Sequence, residues 1–286
     1  MTAVPVPEEQ RSTIRAVVRR AAEGKRLVVV TAYDYPSGRI CDQADVDVVL
    51  VGDSLGNVVL GLPDTLAVTM DDMVRHTAAV SRGVHHALLV ADMPFLSYQP
   101  SPGLAVENAG RLLQAGAQAV KLEGGAYFAP TIRHIVESGI PVMAHIGYTP
   151  QSIHRLGGPR VQGRGTEGRQ RLLEDAVAVA EAGAWSLVLE MVPGPIAGEV
   201  TAAVGIPTIG IGAGPHCRGQ VLVLHDIVGL SGRAPRFARQ YVDGERLLTD
   251  AVIRYADDVR QGRFPGPEHT HDGEHWGSVT DGEGPR

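Results

Sequence analysis

One short pattern recurs along this chain and constrains its fold more than any other feature. An apolar, β-rich run stops at a polar residue or a glycine. Asp47-Val48-Val49-Leu50-Val51-Gly52-Asp53-Ser54 is the clearest case: Val and Leu run unbroken to Gly52, then the polar pair Asp53 and Ser54 follows. An uncharged run of this kind, bounded by glycine, reads as a strand buried on both faces, as in a parallel sheet. The design repeats at residues 26–34, 87–92, 119–125, 141–147, 186–191, 207–214 and 220–226. Most of these runs are separated by helical stretches, expected over 8–23, 36–45, 69–83, 102–115, 129–138, 168–182, 196–204 and 244–261. Thr69 is the expected N-cap of its helix. Strands and helices alternating at this length predict an eight-stranded (β/α)8 TIM barrel, with a doubly wound open sheet as the alternative.

The expected organisation is a single barrel over residues 1–264 with an N-terminal helix. A disordered, flexible tail over 265–286, rich in Gly, Pro, Glu and His, is expected to follow. Residues 55–70 read as a glycine-bearing loop. Residues 148–166 read as a long loop, rich in Gly and Arg, of the kind that forms lids. With 286 residues, 44% hydrophobic and 20% charged, the composition is that of a globular protein. A net charge of −6 argues against nucleic-acid or anionic-membrane partners. The two cysteines, Cys41 and Cys217, have no paired spacing, and Glu8, Glu9, Arg11 and Arg15 precede any apolar run. Both features point to a cytoplasmic protein without structural disulfides.

In an α/β barrel the C-terminal ends of the strands face the ligand. Asp53, Asp92, Glu123 and Glu190 all fall at such ends, as do Lys121 and His145. Alone, Asp53 would be read as capping the turn after it. Several acids from different strands must converge if the barrel closes. Clustered carboxylates repel one another unless something positive sits among them, which a divalent cation and Lys121 would provide. Oxygen donors without a Cys/His set favour Mg²⁺. Such an ion suits a 2-oxo acid, whose ketone it polarises to stabilise an enolate. Glu190, outside the metal-binding acids, is the candidate base.

Weaker signals point elsewhere. Gly210-Ile211-Gly212-Ala213-Gly214 resembles a dinucleotide loop but lies late in the chain. His85 and His86 precede a strand at the opposite barrel face and are expected to be solvated. His269, His271 and His275 lie in the tail, where catalytic geometry is poor.

These stretches resemble the ketopantoate hydroxymethyltransferase family. The similarity is carried by Thr31-Ala32-Tyr33-Asp34, Val51-Gly52-Asp53-Ser54-Leu55-Gly56, Asp92-Met93-Pro94-Phe95 and Val120-Lys121-Leu122-Glu123-Gly124-Gly125. It continues through His145-Ile146-Gly147-Tyr148-Thr149-Pro150-Gln151, Glu190 with Val192-Pro193, and Ile209-Gly210-Ile211-Gly212-Ala213-Gly214. The resemblance implies a βα barrel that passes a hydroxymethyl group from 5,10-methylenetetrahydrofolate to 3-methyl-2-oxobutanoate. The product is 2-dehydropantoate, on the route to pantothenate. It implies a Mg²⁺ site at Asp53, Asp92 and Glu123, and 2-oxo acid contacts from Asp53, Ser54, Asp92 and Lys121. His145 would be a further pocket residue and Glu190 the proton acceptor. It also implies a cytoplasmic homo-oligomer, often a decamer. Arg218 stands where the family has aspartate, a change of charge expected near the barrel mouth. The alternatives are another Mg²⁺-dependent 2-oxo acid enzyme of the carbon–carbon lyase type, and a non-catalytic 2-oxo acid sensor. The lyases place a reactive cysteine in a mobile loop, a setting that neither Cys41 nor Cys217 has.

Overall fold

The computed structural model describes residues 11–271 apart from residue 233. Parallel strands close into a barrel in chain order: β1 (Leu27–Thr31), β2 (Val48–Val51), β3 (Leu88–Asp92), β4 (Ala119–Glu123), β5 (Val142–Gly147), β6 (Ser186–Glu190), β7 (Thr208–Ile211) and β8 (Gly219–Leu222). β8 pairs with β1 and completes the ring. The helices are α1 (Ile14–Ala22), α2 (Tyr35–Gln43), α3 (Leu55–Val58), α4 (Met70–Ser81), α5 (Pro102–Gln114), α6 (Ala129–Glu137), α7 (Ile153–Leu156), α8 (Gly165–Glu181), α9 (Gly194–Ala203), α10 (Leu224–Val228) and α11 (Gly244–Arg260). Among the described residues no helix is long and apolar enough to cross a membrane.

Each strand sorts its residues by a period of two. Odd-numbered residues of β1, and Val48, Leu50, Leu88, Val90, Ala119, Met143 and Val188, fill the barrel interior; Leu89, Ala91, Val120 and Leu122 pack outward beneath the helices. Val17 and Ala21 of α1 belong to the interior cluster, so α1 closes the N-terminal end of the barrel. Polar contacts fix that plug. Arg20 meets Asp47 at 2.7 Å, and the other Asp47 oxygen accepts the Val28 N–H at 2.8 Å. Arg11 donates to the Val84 and Gly116 carbonyls at 2.8 Å each, and to that of Ser81.

Three expectations need correction. α1 begins at Ile14 rather than residue 8, because the Thr13 hydroxyl caps it by accepting the Ala16 N–H. The stretch 55–70 contains the short α3 and is not all loop. The last strand stops at Leu222, so His225 and Asp226 sit in α10. There the Thr31 hydroxyl takes the Leu224 N–H at 3.0 Å, which turns the chain out of the ladder.

Arg218 is also misplaced by the sequence reading. β7 and β8 are joined without a helix, and residues 212–218 return to the closed end of the barrel. The Arg218 carbonyl accepts from Leu27 N at 3.0 Å and its N–H reaches Thr208 Oγ1 at 3.3 Å, both at strand starts. Its charge is therefore remote from the mouth.

The tail beyond residue 271, with His275, lies outside the described residues. The described part of the expected tail, residues 265–271, holds a 3-10 turn, Pro267–His269. α11 has no buried residue, and Leu248, Val252, Tyr255 and Val259 are all exposed on it.

Val17→Ala removes two buried methyl groups from a plug that cannot collapse. It should lower stability by about 2 kcal/mol and the melting temperature by roughly 4–8 °C. Calorimetry of wild type beside the variant checks this; an unchanged melting temperature would show that α1 does not seal the barrel.

Candidate active site

Strand alternation decides which side chains meet at the mouth. Leu88 and Val90 face inward on β3, so Asp92 does too. Ala119 sets the phase for Lys121 and Glu123 on β4, Met143 for His145, and Val188 for Glu190. Asp53 and Ser54 follow β2 directly. All seven expected residues line one cavity of about 520 Å³.

The floor of this cavity is a buried charge cluster. Lys121 Nζ lies 2.6 Å from Asp92 Oδ1, with both side chains almost fully enclosed. Asp92 Oδ2 accepts the Asp53 backbone N–H at 3.0 Å. The Asp53 carboxylate does not cap its own turn; Oδ2 instead accepts the Gln151 side-chain amide at 2.9 Å. Glu123 Oε2 accepts the Gln151 backbone N–H at 3.0 Å. His145 is buried between two acids, Nδ1 at 3.3 Å from Glu123 Oε1 and Nε2 at 3.3 Å from Glu190 Oε2. Neither ring nitrogen is aligned for a hydrogen bond, so these are close charge contacts. Ser54 Oγ is held by the Tyr33 hydroxyl at 2.8 Å.

Burial pushes the Asp53 carboxyl up to about 8, with Asp92 and Glu123 adding to the rise. Burial opposes charge on Lys121 as well, but the facing carboxylates of Asp92, Glu123 and Asp53 outweigh it and raise the amine. For His145, burial and Lys121 favour the neutral ring; Glu123 and Glu190 prevail and lift it to about 9.

Three enclosed carboxylates thus face one enclosed amine. The donor set is hard oxygen without a cysteine, which fits a divalent cation such as Mg²⁺. Among the described residues no group of three His, Cys, Asp or Glu side chains stands ready as a cage. Asp53, Asp92 and Glu123 are instead engaged by Gln151, Lys121 and His145.

The cavity wall is more apolar. Tyr148, Ile153 and Pro159 come from the expected lid stretch 148–166, and Leu230 and Phe237 follow α10. Cys41 and Cys217 are buried outside the cavity. The glycine run at 210–214 serves close packing: Gly214 abuts Gly194 at the start of α9. His86 is exposed and paired with Asp42 at 2.9 Å. His269 and His271 are exposed on the outer surface.

Sequence reasoning assigned no role to Gln151 or Tyr98. The Tyr98 hydroxyl lies 2.9 Å from Gln151 Oε1 and accepts the Glu123 N–H at 3.2 Å. The one sequence signal for Gln151 is its place in the His145–Gln151 stretch, just after Pro150, which starts a turn.

A family model described as Ketopantoate hydroxymethyltransferase matches residues 11–267. The chain belongs to the ketopantoate hydroxymethyltransferase family. It is 56% identical over 256 residues to the 3-methyl-2-oxobutanoate hydroxymethyltransferase of Pyrobaculum islandicum, covering 89% of this chain and 98% of that protein. It is 55% identical over 260 residues to the enzyme of that name from Geobacter sulfurreducens, covering 90% and 97%. Among solved structures, phosphonopyruvate hydrolase complexed with oxalate and Mg²⁺ superposes with a TM-score of 0.58 at 14% identity, covering 90% of this chain and 93% of that one. A 2,3-dimethylmalate lyase of the PEP mutase/isocitrate lyase superfamily gives 0.55 at 17%, covering 94% and 92%. These structures share the barrel fold of this chain.

The raised Asp53 carboxyl has a consequence for pH. A group whose folded pKa lies above its unfolded value binds its proton more tightly in the fold, so stability falls as pH rises through that interval. For Asp53 the interval runs from 3.8 to about 8. In EDTA, Asp53→Asn should melt a few degrees above wild type at pH 8, the difference vanishing toward pH 4. A thermal-melt series across that range checks this; a variant less stable than wild type at pH 8 contradicts it.

Proposed function

We propose that this chain transfers a hydroxymethyl group from 5,10-methylenetetrahydrofolate to 3-methyl-2-oxobutanoate, giving 2-dehydropantoate, the first step of pantothenate synthesis. Family membership supports the reaction. The observation that carries its assignment to these residues is Glu190, facing the cavity from the same inward strand phase as Asp92, Lys121 and Glu123, with Asp53 reaching it from the turn after β2.

Mg²⁺ held by Asp53, Asp92 and Glu123 would polarise the ketone of a bound 2-oxo acid and so acidify the neighbouring carbon. Lys121, pinned on Asp92, sets a fixed positive charge beside the developing negative one in a buried site. Ser54, oriented by Tyr33, supplies a hydroxyl to the acid. Glu190 removes the proton from the branched carbon. His145, 3.3 Å behind it, steadies the Glu190 carboxylate while touching Glu123 on its other side. The carbon nucleophile then forms its bond to the methylene carbon of the folate donor; both carbon–nitrogen bonds to that methylene break, water supplies the hydroxyl oxygen, and the two freed folate nitrogens take the substrate proton and one proton of the water, releasing tetrahydrofolate. The cavity exceeds the needs of a five-carbon acid, and its apolar wall suits a flat heteroaromatic donor. Neither cysteine reaches the cavity, which weighs against lyase chemistry built on a reactive thiol.

The proposal extends to a cytoplasmic homo-oligomer, with the decamer as the expected size. The exposed apolar residues of α11 support assembly with further copies of this chain. Val252→Asp, at a position 65% exposed here, should shift the mass in sedimentation equilibrium toward a smaller species. An unchanged mass would remove α11 from the interface.

Proton NMR in D₂O tests the chemistry. Wild type with Mg²⁺ should exchange the branched-carbon proton of 3-methyl-2-oxobutanoate. Glu190→Gln should keep the fold and slow exchange by about 10²–10⁴-fold, the usual contribution of a positioned base. Near-normal exchange in the variant would rule out Glu190 as the base.

A further inference from the structure

Gln151 carries an unusual share of the bonding at the barrel mouth. β5 ends at Gly147, whose φ of +95° turns the chain sharply; a Cβ there would lie 2.3 Å from the Glu190 carbonyl oxygen. The Tyr148 N–H is tied to that carbonyl at 2.8 Å. The 3-10 turn Pro150–Ser152 then lays Gln151 back over the strand ends, 6% exposed.

Its hydrogen-bonding groups are fully used in that position. Nε2 donates to Asp53 Oδ2 and to the Met93 carbonyl, both at 2.9 Å. Oε1 faces the Tyr98 hydroxyl at 2.9 Å and accepts from Gln99 Nε2 at 3.2 Å. The backbone N–H holds Glu123 Oε2 at 3.0 Å. Carboxylate and carbonyl oxygens only accept, so the amide nitrogen must face Asp53 and Met93; a flipped amide would set oxygen against oxygen at both. One residue therefore grips two of the three carboxylates assigned to the cation, one through its side chain and one through its backbone. It does so without a charge of its own. A lysine or arginine here would neutralise Asp53, whereas the amide aims the carboxylate and leaves its negative charge for an ion.

We propose that Gln151, locked in turn by Tyr98, is the positioning residue for the cation-binding carboxylates Asp53 and Glu123. The proposal rests on the cation reading above. Groups that orient ligands in this way are worth about 10–100-fold in metal affinity. Isothermal titration of metal-free protein with MgCl₂, without substrate, reads the effect directly. Gln151→Ala should weaken Mg²⁺ binding by about 10–100-fold. Gln151→Glu keeps the shape but sets an acid against Asp53 and should weaken binding at neutral pH more than its size alone allows. Tyr98→Phe, which leaves every carboxylate in place, should weaken binding in the same direction and by less. In each variant, turnover should recover toward wild type as Mg²⁺ is raised, because Glu190 is untouched.

Variants that lose thermal stability yet bind Mg²⁺ like wild type would make Gln151 a merely structural residue and overturn the proposal. Failure of the wild-type protein to bind Mg²⁺ would overturn the cation reading itself.

Discussion

The mouth of this barrel is organised by a buried excess of negative charge. Asp53, Asp92 and Glu123 are all enclosed, and the amine of Lys121 is enclosed with them. Removing one partner of such a pair leaves an uncompensated charge, which costs roughly 3–5 kcal/mol. That is a sizeable part of the 5–15 kcal/mol by which a typical domain is stable at all. One amine does not balance three acids, and Asp53 shows the imbalance in its raised carboxyl. A fold that tolerates this strain at its open end is one in which the strain serves the chemistry.

The rest of the structure keeps that cluster in place. Strand register sets Asp92 beside Lys121 and Glu123 beside His145. A slip of one residue would turn each of these side chains out beneath the helices. Below the cluster the interior is filled mainly by apolar side chains and α1 seals its far end. Rigid strands therefore carry the polar groups, while the stretches after β5 and β8 shape the wall around a substrate.

Much of this was legible in the chain itself. The apolar runs that end at Asp92, at Lys121 and Glu123, at His145 and at Glu190 are barrel strands with those residues at the open end. The helix start at Thr69 was equally clear, since the Thr69 and Asp72 side chains cap each other's backbone. Where the reading failed, the deciding contact was distant in sequence. β8 ends early because Thr31, at the far end of the chain, captures Leu224. Arg218 lies at the closed end because the β7–β8 link has no helix, which local composition does not reveal. The role of Gln151 is not legible in the sequence because it lies in five partners from three other segments. The exposed face of α11 reads in sequence like any amphipathic helix, and only the fold shows that the other described residues do not cover it.

The central claim is that Asp53, Asp92 and Glu123 exist to hold a divalent cation above Lys121. The most direct measurement is a crystal structure grown with MnCl₂ and 3-methyl-2-oxobutanoate, using the anomalous signal of manganese to locate the ion. The account predicts one strong peak within bonding distance of oxygens from all three acids, with Lys121 still on Asp92. No peak at the mouth, or a peak bound by other residues, would contradict it.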